Sequence, residues 1–159
     1  MEGNVRILTK ITGFITVLVL GLTAGAMLTE AVIIVPFWLS LSPTEFFDWY
    51  AKHQAALVNY YSPLEIWSTI LTVVTSILLL IAKQEGRLSM VASTVLSILV
   101  IMTFFIFFKD ANAGFNTRSI ANEKLTSAIT TWGNWQWLRV GLGIAAFIFG
   151  LLSIQTNKK

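Results

Sequence analysis

Between Ile11 and Leu41 the only charged residue is Glu30. About 20 apolar residues are enough to cross the hydrocarbon core of a bilayer, so this run reads as a membrane-spanning helix. Three further stretches have the same character: Pro63 to Ala82, Leu88 to Phe108 with no charge, and Asn134 to Ile154 with only Arg139. They predict an all-α integral membrane four-helix bundle in one domain, residues 1–159. The expected spans are about 11–39, 63–82, 88–108 and 134–154. Composition agrees: 12% of the residues are charged, against about 25% in an ordinary soluble domain. Arg6 and Lys10 ahead of an apolar run, with Ala24-Gly25-Ala26 behind, imitate a signal peptide. The run continues well past Ala26, so a retained helix is expected.

The chain has no cysteine, which excludes a disulfide framework, a thiolate nucleophile and a thiolate metal site. Its net charge of +3 fits basic residues at the cytoplasmic ends of spans. No basic cluster with interleaved aromatics stands apart from the spans, so no nucleic-acid partner is expected. The partners expected are the lipid bilayer and a small apolar substrate or ligand. With four spans, both termini and the "KQEGR" hairpin share one face. That face carries Arg6, Lys10, Lys83, Arg87, Lys158 and Lys159; the other carries Lys52, Lys109, Arg118 and Lys124. The positive-inside rule then places the N- and C-termini in the cytoplasm.

Two links of about 20 residues lie on the opposite, outer face. In "SPTEFFDWYAKHQAALVNYYSP", Ser42 and Glu45 form a capping box and Pro43 suits a first turn. Phe46, Trp49, Tyr50, His53, Leu57 and Tyr60 recur at helical spacing, and Pro63 is expected to end this helix. The other link has a weaker stripe of Ala121, Leu125, Ala128, Ile129 and Trp132, with Gly133-Asn134 expected to redirect the chain. An amphipathic helix is thus expected in each link, lying on the membrane or closing over the bundle. Trp132, Trp135 and Trp137 are expected at the membrane interface. Gly21 and Gly25 give a small-xxx-small spacing, which serves close packing within the bundle or a homo-oligomer. Packing within the bundle is the expectation.

The residues able to do chemistry all fall in the outer half: Glu30, His53, Asn59, Glu65, Asn134 and Arg139. Charged groups within spans face the bundle interior and pair. By depth, Glu30 and Arg139 form the expected pair, on first and fourth helices that are neighbours in an antiparallel bundle. Pro36 removes a backbone donor, so a kink or break is expected between Glu30 and Pro36, opening a cavity at the carboxylate.

There is no phosphate loop, no paired-histidine metal helix and no G-x-S-x-G elbow. No cofactor is expected. The alternative is one non-haem metal ion held by His53, Glu30 and Glu65, one imidazole and two carboxylates. A cofactor-free site could use His53 or Glu30 as base, with Asn134 and Arg139 stabilising an oxyanion.

Three segments carry a family resemblance: "GLTAGAMLTEAVIIVPFW", "FFDWYAKHQAALVNYYSP" and "FNTRSIANEKLTSAITTWGNWQWLR". They resemble the small four-helix membrane proteins that include fungal and bacterial anthrone oxygenases. The resemblance implies a cofactor-independent oxygenase that deprotonates a phenolic polycycle and lets dioxygen attack the carbanion. Asn116, Asn134, Trp135 and Arg139 are the matching positions, with Trp49, Asn59 and Glu65 as further substrate contacts. Where family members often carry a histidine just before that arginine, this chain has Gln136 and Trp137, so His53 or Glu30 would serve as base. The alternative function is a non-catalytic small-molecule or lipid-binding bundle, or an accessory subunit of a larger membrane system.

Overall fold

The computed structural model of the chain describes residues 2–155, with side chains from Arg6 onward. Lys158 and Lys159, used in the orientation argument, lie outside the described residues. The described residues form four long helical rods. The first is α1 (Glu2–Thr29), a π-helical turn over Glu30–Ile34, and α2 (Val35–Ser40). The second is one uninterrupted helix, α3 (Pro43–Ile81). The third is α4 (Arg87–Thr103), a second π turn over Phe104–Phe108, and α5 (Lys109–Asn116). The fourth is α6 (Asn122–Gln155). Each rod packs on its sequence neighbours, and α6 also packs on α1, so the rods form an up-down square. All four are long and apolar enough to cross a membrane.

Both link helices are present, but neither is separate from the span that follows it. The Ser42–Glu45 capping box starts α3 as expected, with Ser42 Oγ accepting from the Glu45 backbone and Glu45 returning to the Ser42 N–H at 2.9 Å. Pro63 does not end the helix and sits inside it. A proline lacks only one donor, and neighbouring helices and side chains can absorb the freed carbonyl within a membrane protein. Gly133-Asn134 likewise lies inside α6. The two long links thus shrink to short turns at Leu41–Ser42 and at residues 117–121.

The continuity changes the shape of the molecule. A 39-residue helix is about 58 Å long, against a hydrocarbon core of about 30 Å. Exposed apolar residues form a belt from the terminal end up to the level of Ile33, Ile66, Ile106 and Trp137. Beyond it, apart from Phe37, Leu39, Val58 and Tyr60, exposed positions turn polar: Asp48, Lys52 and Asn59 on α3, Lys109, Asp110 and Asn116 on α5, and Asn122 to Lys124, Thr130 and Asn134 on α6. Trp67 and Trp137 face outward at the boundary, where amphipathic rings are comfortable. Trp132 and Trp135 do not. Trp132 is buried, and Trp135 stacks on Phe107 with ring centres 5.0 Å apart.

The two halves have different cores. Beyond the belt the core is aromatic, built from Trp38, Phe46, Phe47, Tyr50, Phe108, Phe115 and Trp132. Trp38 is its hub, in edge contact with Phe46, Tyr50, Phe115 and Trp132. Within the belt the core mixes small and hydroxyl side chains with aliphatic ones such as Leu20, Met27, Leu79, Met90, Val100 and Val140. Thr16 and Thr75 share a buried hydrogen bond of 2.8 Å, and Ser93 donates to the Ala146 carbonyl at 2.7 Å. Such bonds and close backbone approach hold helices together where lipid offers no hydrophobic drive. Gly21 lies against the Phe147 ring, whereas Gly25 faces open space. The notches that matter most on α6 are Gly143 and Gly150, which receive Met27 and Leu20 of α1.

Candidate ligand site at the membrane boundary

Glu30, Glu65 and Arg139 line one cavity of about 60 Å³ at the level where the apolar belt ends. Its walls include Trp38, Tyr50, Tyr61, Phe104, Phe108 and Trp132, with Gln54, Ser62 and Asn112 at the edges. All three charged side chains are buried, at 5%, 8% and 5% exposure respectively. Both π turns border this space, the first through Glu30 and the second through Phe104 and Phe108. The first π turn lies just ahead of Pro36, where a break was expected. The Val35 N–H reaches back five residues to the Glu30 carbonyl. The second has no proline or glycine to announce it.

The ion pair differs from the one expected. Arg139 pairs with Glu65, not with Glu30. Rods two and four stand diagonally across the square, and an arginine is long enough to span it. Glu65, in the interior of α3, is therefore a pairing residue. Arg139 Nη1 also donates to Gln136 Oε1 at 3.3 Å, and Gln136 Nε2 donates to the Met27 carbonyl at 3.1 Å. The guanidinium lies over the Phe108 ring, 4.6 Å from its centre. Glu65, Gln136 and Phe108 thus hold Arg139 from three sides.

Three groups around the cavity remain without partners. The Glu30 carboxylate makes no hydrogen bond or salt bridge among the described residues. Arg139 Nε and Trp38 Nε1 are buried donors with no acceptor. Buried polar groups in native proteins are nearly always satisfied, so each orphan asks for an explanation. The charges do not balance either: two carboxylates face one guanidinium. A dry site carrying an uncompensated charge is costly unless a proton or a cation neutralises it.

The other expected site residues lie elsewhere. His53 stacks on Trp49 at 4.5 Å between ring centres, and its Nδ1 donates to the Trp49 carbonyl at 2.8 Å. Neither residue lines the cavity. Asn59, Asn116 and Asn134 are on the water-facing surface, and Trp135 is occupied with Phe107. The trio His53, Glu30 and Glu65 is not assembled, and no group of three His, Cys, Asp or Glu among the described residues could hold a metal ion. Of the nine expected positions, Glu30, Glu65 and Arg139 meet at the cavity.

Sequence reasoning passed over Gln136, Trp38, Tyr61 and Asn112, whose Oδ1 accepts from Trp132 Nε1 at 2.9 Å. A signal was available for the interior line of the first rod. Thr9, Thr16, Thr23 and Glu30 recur every seven residues, and all four are buried. On α3 the buried polar line Glu65, Ser68, Thr72 and Thr75 has the matching helical spacing. Polar groups thus do continue below the cavity, mostly spending their hydrogens on helix carbonyls. At the terminal end a second cavity, of about 180 Å³, is lined by Thr9, Lys10, Gly13, Phe14, Thr75, Leu79, Gln84 and Ile154.

The chain matches no protein-family model, no curated protein and no solved structure.

Proposed function

We propose that this is a multi-pass membrane protein, with cytoplasmic termini, that binds a small polar molecule in the Glu30–Glu65–Arg139 cavity. The observation that carries this reading is the set of unsatisfied groups around one space: a buried carboxylate and two buried N–H donors. A bundle that needed polar groups only for helix register would satisfy them internally, as the Glu65–Arg139–Gln136 network does. Access is from the side. Val58 and Phe104, at the rim, are both exposed, and α3 makes little contact with the second π turn at this height. The gap lies at the bilayer boundary, which suits a ligand that partitions between water and lipid.

The test is a thermal-shift panel of small acids, amines, alcohols and phenols on the purified protein and on Glu30→Gln. A ligand that raises the melting temperature of the wild type but not of the variant supports the reading. If no compound shifts the wild type, the site has only a structural role.

A cofactor-independent oxygenase acting on an apolar aromatic substrate is the second reading. It is favoured by the aromatic walls around a carboxylate and a guanidinium. Glu30, not the distant His53, would be its base, with Arg139 Nε facing the developing oxyanion. A polycycle needs a site of roughly 300 Å³ or more, so Phe104 and Val58 would have to part to admit one. Oxygen uptake with anthrones, lost in Glu30→Gln, tests it; no uptake above buffer sinks it.

A further inference from the structure

The charge and donor pattern of the cavity narrows the ligand class. Glu65 and Arg139 cancel, which leaves Glu30 as one buried negative charge with no hydrogen-bond partner. The groups facing Glu30 are Tyr50, Tyr61 and Glu65 from α3, Arg139 from α6, and only the neutral Phe104, Phe108 and Asn112 from the third rod. No second cation lines the space. A ligand completing the site therefore brings one positive charge. Its walls of Trp38, Tyr50, Tyr61 and Trp132 suit an ammonium, because aromatic faces attract cations most strongly in desolvated surroundings. The two orphan donors, Trp38 Nε1 and Arg139 Nε, ask for an oxygen acceptor on the same molecule. The cavity of about 60 Å³ admits a few heavy atoms and no ring system.

Resting on the ligand-binding reading above, we propose that the cavity binds a small monocationic amino alcohol, its ammonium on Glu30 and its oxygen on Trp38 Nε1 and Arg139 Nε. In its absence a proton on Glu30 supplies the missing charge. The same atoms occur in free ethanolamine and in an ethanolamine phospholipid headgroup. The phosphate of the lipid adds back a negative charge, so the free amino alcohol is the better fit.

Calorimetric titration of the full-length protein in detergent, with ethanolamine, ethylamine and ethylene glycol, separates the contributions. Ethanolamine is expected to bind saturably. Ethylamine, lacking the acceptor, and ethylene glycol, lacking the charge, are each expected to bind at least about tenfold more weakly. Glu30→Gln, which keeps the shape of the side chain, should weaken ethanolamine by a similar factor. Trp38→Phe should weaken ethanolamine by a larger factor than ethylamine, because it removes the N–H donor as well as part of the aromatic face. Ethanolamine binding should also release a proton from Glu30, so the heat should depend on the buffer's ionisation enthalpy in the wild type and not in Glu30→Gln. Equal binding of the three compounds overturns the proposal, as does ethanolamine binding that survives Glu30→Gln. Saturation only by vesicles containing phosphatidylethanolamine assigns the lipid headgroup and overturns the free ligand. If ethanolamine fails but another panel compound shifts the wild type and not Glu30→Gln, the amino alcohol falls and the binding site stands. If nothing binds, both fall.

Discussion

Glu30 and Glu65 are buried in the same cavity, yet neutralising them should have opposite effects. Glu65 holds Arg139 in place, so Glu65→Gln leaves a buried guanidinium unpaired and should destabilise the fold by about 3–5 kcal/mol. Glu30 has no hydrogen-bond partner to strand, and Glu30→Gln removes the cost of keeping a proton, or else a charge, on a buried carboxyl group. That variant should be more stable than wild type by about 1–3 kcal/mol. Melting curves of the two variants in one detergent read the sign directly; a destabilised Glu30→Gln would mean that its carboxylate has a protein partner. Depth in the membrane was legible for Glu30, Glu65 and Arg139, because isolated charges in apolar runs must face inward. Which carboxylate takes the arginine was not. That depends on the diagonal placement of α3 and α6 and on the reach of one side chain, and neither is a property of local sequence.

At the scale of elements, α1 and α6 meet through notches whose sequence signal is only partly informative. A methyl group on Gly150 would stand 2.9 Å from Leu20 Cδ1, and one on Gly25 would meet nothing. Gly150→Ala should therefore cost about 1–3 kcal/mol, while Gly25→Ala should be neutral or gain up to about 1 kcal/mol from helix propensity. Loss of stability in Gly25→Ala would place that residue in a contact between copies of the chain. The Gly21–Gly25 spacing pointed to the correct helix and to one residue that packs, Gly21 against Phe147, but not to the notches Gly143 and Gly150 on α6. Helix stops were the least legible feature. Pro36 did mark a break, because the turn before it had room to widen into a π turn, whereas Pro63 did not stop α3. The four rods support each other laterally, and this tertiary support outweighs a single lost hydrogen bond.

The molecule as a whole is taller than a bilayer, with a belt for lipid and an aromatic dome for water. The positive-inside rule predicts that the dome faces away from the cytoplasm. The absence of native cysteine makes this simple to test. A single cysteine at Ser42 should react with an impermeant maleimide on intact cells, and one at Gln84 only after permeabilisation. The reverse pattern would invert the molecule. The height of the dome escaped sequence analysis: a helix was expected in each outer link, lying on the membrane or closing over the bundle, whereas packing of the rods on one another lets both continue upright into the following span.

The two π turns give that tall shape a further property. One residue advances a helix by about 100°, and each π turn takes up one residue more than a regular turn would. The face that looks inward below the turn is thus brought back inward above it, although the sequence has slipped a step. Deleting Ile106 removes that extra residue, so residues 104–108 should wind as ordinary helix with Phe108 and Phe115 still facing into the dome. Membrane insertion and the near-ultraviolet dichroism of the packed tryptophans should both survive. A collapsed spectrum would show that the turn does more than absorb one residue. The widened turns work like a phase adjuster: they let two sequence rhythms, one written for lipid and one for water, run along a single rod.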